Sequence, residues 1–506
     1  MSKDAEVDMK DVELDVIDPE KQPMNTALDN TEKNGCVKVK VPDDQEIKFT
    51  GLSKEELLKV ANTPCWVRTR WALLILFWLG WIGMLAGAIV IIVQAPRCKP
   101  LPSLKWWQKG AIYQIGAVES FDNTKGDGTG DIAGIKARID YLSSLKVKGI
   151  VIGPIHQNSA DLVNDTNLEV IDKKFGNEED FLNLLDAAKK KGIHVVLDLT
   201  PNYNGQNNSL FDADIAKKGM EYWLNKGVSG IRFGNVDTIL QNPDVVEEWK
   251  NITNNYSSEG KERVLILHVK NMVTNNTALL MDDVLSTLGK EPAAAEVITM
   301  LSRHIEIAGD QWLGWMVGGR ELGHMASMVK NRLYRLYQIM LFTLPGTPFT
   351  NYGDEIGLED TQEKDSKAKF PVMPWKYQQS MEAGPRFTNK TVEDQEKDTD
   401  SLLNLYKALS DLKVKERSLQ HGDFHIINSN SNIFAYLRDW DQNERFLAVL
   451  NFADTKTTAD LDRGRLPLKA KVVLSSDPKR PKGEIVLQNI ELDPSEGLLL
   501  SFPYVS

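Results

Sequence analysis

Polarity changes abruptly along this chain. Residues 1–71 are rich in charge, poor in aromatics and carry no sustained period of 2 or 3.6. Such a segment buries too little surface to offset its ordering entropy, so it reads as a largely disordered tail. One stretch in it differs: Leu52–Val60, LSKEELLKV, places Glu56 three residues after Ser53, the capping-box spacing that opens a helix. The pattern then turns wholly apolar. Ala72–Val93, ALLILFWLGWIGMLAGAIVIIV, runs for 22 residues without a charge. That length crosses about 30 Å of hydrocarbon as a helix. A core helix of a soluble domain would keep a polar face, and this segment has none. Trp71, Trp78 and Trp81 cluster toward one end, where indole rings favour the membrane interface.

Beyond a short linker, residues 95–104, the pattern alternates. Apolar runs such as GIVIGPI (149–155), HVVLDLTP (194–201) and RVLILHV (263–269) are separated by helical periods, FLNLLDAAKKKGI (181–193) and MEYWLNKGVSGIRF (220–233). Strands alternating with helices imply βαβ units and parallel pairing. About 300 residues of it, 105–401, suit a (β/α)8 TIM barrel. From 402 to 506 the runs NIFAYLRDW, RFLAVLNFAD, KVVLSS and GLLLSFPYV read as strands with no long helix between them. The expectation there is a C-terminal antiparallel β-sandwich domain. The predicted class is therefore α/β, with a transmembrane helix at 72–94 preceding the barrel.

The apolar segment starts 71 residues in and has no small-residue cleavage site, so it reads as a signal anchor rather than a cleaved leader. Flanking charge leaves its orientation open, with Arg68 and Arg70 before it and Arg97 and Lys99 after it. Six N-x-S/T triplets argue for an extracellular C-terminal part. They begin at Asn164, Asn207, Asn251, Asn255, Asn275 and Asn389, and none precedes the segment. A type II protein of the plasma membrane, with a cytoplasmic N-terminus, is expected. Gly83-x-x-x-Gly87, with Gly80 on nearly the same side, lets another helix approach closely in lipid, although such pairs are also common by chance.

Three cysteines, Cys36, Cys65 and Cys98, build neither a disulfide framework nor a zinc cluster. A leftover cysteine outside the membrane is a candidate for an intermolecular bridge. The net charge of −11 argues against a nucleic-acid partner.

Several blocks resemble the α-amylase and α-glucosidase superfamily of glycoside hydrolases. They are AIYQIG (111–116), GDIAGIKARIDYLSSLKVKGIVIGPI (130–155), FGNEEDFLNLLDAAKKKGIHVVLDLTPNY (175–203) and TLPGTPFTNYGDEIGLED (343–360). The resemblance implies a barrel whose C-terminal rim carries catalytic carboxylates, and these are missing. Glycoside cleavage needs two, roughly 5–10 Å apart. Gly234 follows the signature Gly230-Ile231-Arg232-Phe233, where the resemblance places the nucleophilic Asp. His268 and Val269 stand where the acid Glu should end the fifth strand, and Val317 lies in WMVGGR, which holds neither His nor Asp. Tyr203 replaces the His expected after Asn202. Glycine and valine can supply neither nucleophile nor proton, so the expectation is a non-enzyme without cofactor.

Other polar groups receive structural readings. Asp354 and Glu355 in YGDEIG sit in a loop that is not the superfamily's catalytic pair. Asp122, Asp127 and Asp131 resemble a calcium loop of some relatives, but a Gly/Asp-rich turn is the preferred reading. His421 and His425 flank Gly422 and Asp423 without a third ligand in sequence.

FTGLSKEELLKV (49–60), WVRTRWALLILFWLGWIGMLAGAIVIIV, APRCK and KWW narrow the resemblance to the heavy chains of heteromeric amino-acid transporters. That family implies a multi-pass light chain as partner, reached through Cys98, the membrane helix and the ectodomain. It also implies integrin β subunits as further partners, and the lipid bilayer as surroundings. One helix cannot by itself enclose a transport path, which needs several. The runner-up is a membrane-anchored α-glucosidase-like hydrolase, which would need new carboxylates at the barrel rim.

Overall fold

A computed structural model describes residues 53–94, 98–122, 129–205, 212–234, 242–269, 279–361, 369–376, 391–427, 431–461, 464 and 466–504. Residues up to Pro96 form one unit and those from Arg97 onward a second. In the first, Ser53 caps the helix Lys54–Ala61: its hydroxyl accepts from the Glu56 amide at 3.4 Å, and the Glu56 carboxylate accepts from the Ser53 amide at 3.1 Å. The helix Pro64–Gln94 follows, 31 residues with a mean hydropathy of 2.4 over its most apolar window. It is long and apolar enough to cross a membrane. Among the described residues, none packs closely enough on this helix to bury a side chain of it.

The second unit is built on a closed eight-stranded parallel barrel. Its strands are β1 (Ile112–Ile115), β2 (Gly149–Ile152), β3 (His194–Asp198), β4 (Gly230–Phe233), β5 (Val264–Val269), β6 (Leu279–Asp282), β7 (Leu313–Trp315) and β8 (Thr347–Asn351). They neighbour one another in chain order, and β8 closes on β1. Successive side chains on a strand point to opposite faces. Ile112, Val151, Val196, Val264, Ile266, Leu279, Met281 and Phe349 accordingly form a core inside the barrel, floored by Trp106 and Trp107. The intervening residues, among them Tyr113, Ile150, Leu197, Ile231, Phe233 and Leu267, pack outward under the helices.

The helices follow the same logic. In Glu178–Lys190 the buried Phe181, Leu184 and Ala188 are spaced three and four apart, the stripe of an amphipathic helix. Asn177 and Asp180 form its capping box. Helix Ala213–Lys226 buries Met220 and Trp223 and stops at Gly227, whose φ of 103° suits a residue without a Cβ. The helix that opens the expected C-terminal region, Leu402–Lys415, belongs to the barrel's outer layer. Its Leu403, Tyr406 and Leu409 join the barrel core, and it packs on Tyr334–Thr343. The antiparallel strands begin only at Asp423. They make a six-stranded sheet with the pair Thr457–Ala459 and Ile490–Leu492 over one face. The other face, through Phe434, Tyr436 and Phe446, packs on the barrel side. The sandwich is thus unequal, because barrel helices occupy the space a second full sheet would need.

Asp354 and Glu355 lie in the turn after β8 and are buried. Asp354 accepts from the amides of Asn351 at 2.9 Å and Met325 at 3.1 Å. Glu355 Oε1 accepts from the hydroxyls of Tyr113 at 2.9 Å and Tyr141 at 2.6 Å. Burial pushes Asp354 up to about 6 and Glu355 up to about 7, against the lowering effect of those hydrogen bonds. A raised folded-state pKa means the native state holds its proton more tightly than the unfolded chain. Glu355 therefore favours folding below its unfolded value, and that contribution is lost as pH rises through about 7. Replacing Glu355 with Gln should leave stability nearly unchanged at pH 5. At pH 8 the variant should gain about 1–3 kcal/mol relative to wild type. Chemical denaturation of both proteins at the two pH values checks this, and a constant difference contradicts it.

Candidate functional site

The pleat that places apolar residues in the lower barrel places polar ones at its C-terminal mouth. On β3, Asp198 follows Val196 inward; on β4, Arg232 faces inward; on β5, His268 follows Val264 and Ile266. Asp198 and Arg232 stand opposite each other in the β3–β4 register and form an ion pair, both almost wholly buried. Asp198 Oδ1 also accepts from the Thr200 amide at 2.9 Å and from its hydroxyl at 2.6 Å. The Gly234 amide in turn donates to Thr200 Oγ1 at 2.7 Å.

A larger side chain at Gly234 would have to displace the Glu321 carboxylate. A Cβ there would lie 2.8 Å from Glu321 Oε1, 3.0 Å from Thr200 Oγ1 and 3.2 Å from Arg232 Nη1. Glu321 comes from the hairpin after β7, where Gly319 and Gly323 bridge. Its other oxygen, Oε2, lies 3.4 Å from His268 Nδ1, and His268 Nε2 lies 3.2 Å from Oδ2 of Asp283, just past β6. Burial by itself lowers the pKa of His268. The hydrogen bond to Asp283 and the nearby Glu321 carboxylate outweigh it and hold the imidazole above its ordinary value. Two carboxylates thus flank one buried ring. This pair was not legible in sequence, since both acids sit on loops outside the superfamily's motif positions.

Further described side chains pack around this cluster. The Arg320 guanidinium lies over the rings of Tyr203 at 5.1 Å and Phe370 at 4.6 Å and bonds the Gly116 carbonyl. Tyr203, at the position where the resemblance expects His, donates to the His156 carbonyl at 2.9 Å. Burial drives His156 down to about 4. Asn202 ties the turn at Asp161, accepting from its amide at 3.0 Å and donating to its carboxylate at 2.9 Å. Val317 is buried, and Val269 closes β5.

The calcium-loop reading gains little. Asp122 pairs with Arg138 at 2.7 Å, and Asp131 caps the helix Ile132–Ala137 through the Gly134 amide at 2.8 Å. Asp127 lies outside the described residues. The strands do bring Asp423, His425 and Asp439 onto one face, with donor atoms within 4.8 Å of one another. His425 already pairs with Asp439 at 3.2 Å, and Lys99 lies 3.9 Å from Asp423. His421 is not part of that group; it stacks edge-on against Trp440.

The remaining positions are exposed features. Cys98 is exposed and carries no disulfide within the chain. A Cβ built at Gly80, Gly83 or Gly87 meets nothing within 4 Å. Asn251 and Asn255 are exposed one turn apart on the helix Pro243–Asn255. Asn164 lies in the strand Leu162–Ile171, and Asn207, Asn275 and Asn389 lie outside the described residues.

A raised His268 pKa contributes stability that is fully present below its unfolded value near 6.5 and is lost as pH rises through the folded value. The stability difference between wild type and His268→Gln should therefore shrink between pH 6 and pH 9. Melting temperatures of both proteins across that range check it, and a flat difference would show that the ring takes no charge.

A family model described as "Solute carrier family 3 member 2 N-terminus" matches residues 37–113. A second, "Alpha amylase, catalytic domain", matches residues 117–219. The amino acid transporter heavy chain SLC3A2 of Mus musculus is 48% identical over 535 residues, with 100% of both chains covered. The heavy chain of the same name from Oryctolagus cuniculus is 46% identical, again over 100% of both. Among solved structures, a trehalose-6-phosphate hydrolase of Bacillus licheniformis superposes with a TM-score of 0.66 at 17% identity, covering 79% of this chain and 100% of that one. That likeness speaks for the fold alone. The full-length identity, joined to one long apolar helix and an amylase-like barrel, makes this chain a member of the SLC3A2 family of amino acid transporter heavy chains.

Proposed function

We propose that this chain is the non-catalytic heavy subunit of a heteromeric amino-acid transporter. It binds a multi-pass light chain, brings it to the plasma membrane and stabilises it there, and the light chain carries out amino-acid exchange. The observation that carries this reading is a single membrane-length helix in a chain of this family, because one helix cannot enclose an alternating-access path. The helix lies as a type II anchor, with the tail cytoplasmic and the barrel and its glycans outside. Cys98, four residues past Gln94 and exposed, forms the disulfide to the light chain. The Gly80, Gly83 and Gly87 face packs on a light-chain helix. Engagement of integrin β subunits is an added role that family resemblance supports.

On a non-reducing gel of cell membranes, wild type should run as a heavier species that reduction collapses to the monomer. Cys98→Ser should run as the monomer in both lanes. A wild type that runs alone under thiol-blocked extraction contradicts the covalent link.

Asp283 and Glu321 favour the hydrolase reading to one extent, since they are rim carboxylates. Both, however, hold His268, and Glu321 takes the space beside Gly234 that a nucleophile would use. A retaining or inverting site needs one free acid and one free base or nucleophile on either side of the sugar. The full chain should show no turnover of p-nitrophenyl α-glucoside, and Gly234→Asp should not restore it. That variant should also lose about 1–3 kcal/mol through overpacking. Measurable turnover by wild type, inhibited by a glucosidase inhibitor, would reinstate the enzyme reading.

A further inference from the structure

Where the foot of the barrel meets the C-terminal sheet, two basic side chains are buried without a carboxylate partner among the described residues. Lys413 is 0% exposed and Arg438 is 1% exposed. Their partners are carbonyl oxygens: Lys413 Nζ donates to Leu344 at 3.0 Å and Leu419 at 2.8 Å, and Arg438 donates from Nη1 to Thr343 at 2.6 Å and from Nη2 to Gly422 at 3.0 Å. Thr343 and Leu344 end the helix Tyr334–Thr343. Burial, and then the neighbouring Arg438, hold Lys413 well below its ordinary value, so the charge to be balanced sits on Arg438, and the helix C-terminus offers only about half a negative charge. Among the described residues, neither takes part in an ion pair. Asp423 and Asp439 are the carboxylates that act on Arg438 through space. Strand alternation puts Asp439 on the opposite face from Arg438, where it pairs with His425, while Asp423 stands beside Lys99. Buried charges are ordinarily paired.

Arg438 lines a cavity of about 130 Å³ together with His421, Gln311, Trp312 and Gly346. Several groups lining this space are unsatisfied. Arg438 Nε, both ring nitrogens of His421 and Gln311 Oε1 have no hydrogen-bond partner among the described residues. The other polar lining groups are committed: Trp312 Nε1 donates to Thr347, and Gln420 Nε2 donates to Val414. His421 presents an N–H in its neutral form, and the Gln311 amide presents one when turned about its last torsion. The cavity thus offers three donors around a guanidinium edge. It has room for a small hydrated ion with several waters.

We propose that this cavity binds a small monovalent anion of chloride size, held by Arg438, His421 and Gln311, and that the anion joins the barrel to the C-terminal sheet. This site lies at the end of the barrel opposite the mouth described above. Its occupant neutralises the charge that the helix terminus leaves uncompensated.

The test uses the full-length chain in detergent micelles, with chloride replaced by gluconate at constant ionic strength. Gluconate keeps the ionic strength constant and presents no halide-sized ion. Chloride should raise the melting temperature of wild type along a saturating curve, by about 2–4 °C at the plateau. In His421→Leu and Gln311→Leu, which keep the guanidinium, half-saturation should move to at least fivefold higher chloride. Equal melting temperatures in chloride and gluconate overturn the proposal and leave water as the occupant. An unchanged chloride curve in both variants overturns the site assignment. Arg438→Gln is a poor primary test, because losing its bonds to Thr343 and Gly422 can prevent folding altogether.

Discussion

Eight strands converging on one axis send every second side chain into a space that water barely reaches, and the C-terminal mouth is the layer where this chain places charge. Asp198, Arg232 and His268 all point into that layer because the pleat allows them nowhere else. Each must then be satisfied from within. Arg232 answers Asp198, and Asp283 and Glu321 answer His268. Thr200 links the two halves through Asp198 and the Gly234 amide. The network explains why Gly234 is glycine: Glu321 needs the volume that a Cβ would take.

Among the described residues, the carboxylates of this layer pair with Arg232 and His268, and Arg320 lies across Tyr203 and Phe370. The barrel persists because its lower layers and outer helices do not depend on the rim. Ile112, Val196, Ile266 and Phe349 fill the interior whether or not the top layer performs chemistry. The barrel fold and the chemistry of its rim are therefore separable.

Much of this was legible from the residues. The apolar strand runs located β2, β3 and β5, the superfamily signature marked Gly230–Phe233 as β4, and the position after it showed a glycine where an acid was required. Ser53 and Glu56 announced the first helix by spacing alone. Contacts across elements were not legible. Asp283 and Glu321 reach His268 from the loops after β6 and β7, and no spacing rule links them. Asp439 meets Asp423 and His425 only through strand pairing. The unequal sandwich was hidden because Ile433–Leu437 is buried on both faces, so its pattern does not reveal which face meets a sheet and which meets barrel helices. Arg438, next along that strand, gives no sign in sequence that it is buried.

The division of labour between this chain and a partner is tested most directly by reconstitution. Proteoliposomes holding the purified full-length chain alone should show no uptake or exchange of radiolabelled amino acids above protein-free vesicles. Proteoliposomes holding the disulfide-linked complex isolated from cell membranes should show saturable exchange. Exchange by the chain alone, or complexes that lack any multi-pass subunit yet still transport, would contradict the heavy-subunit account.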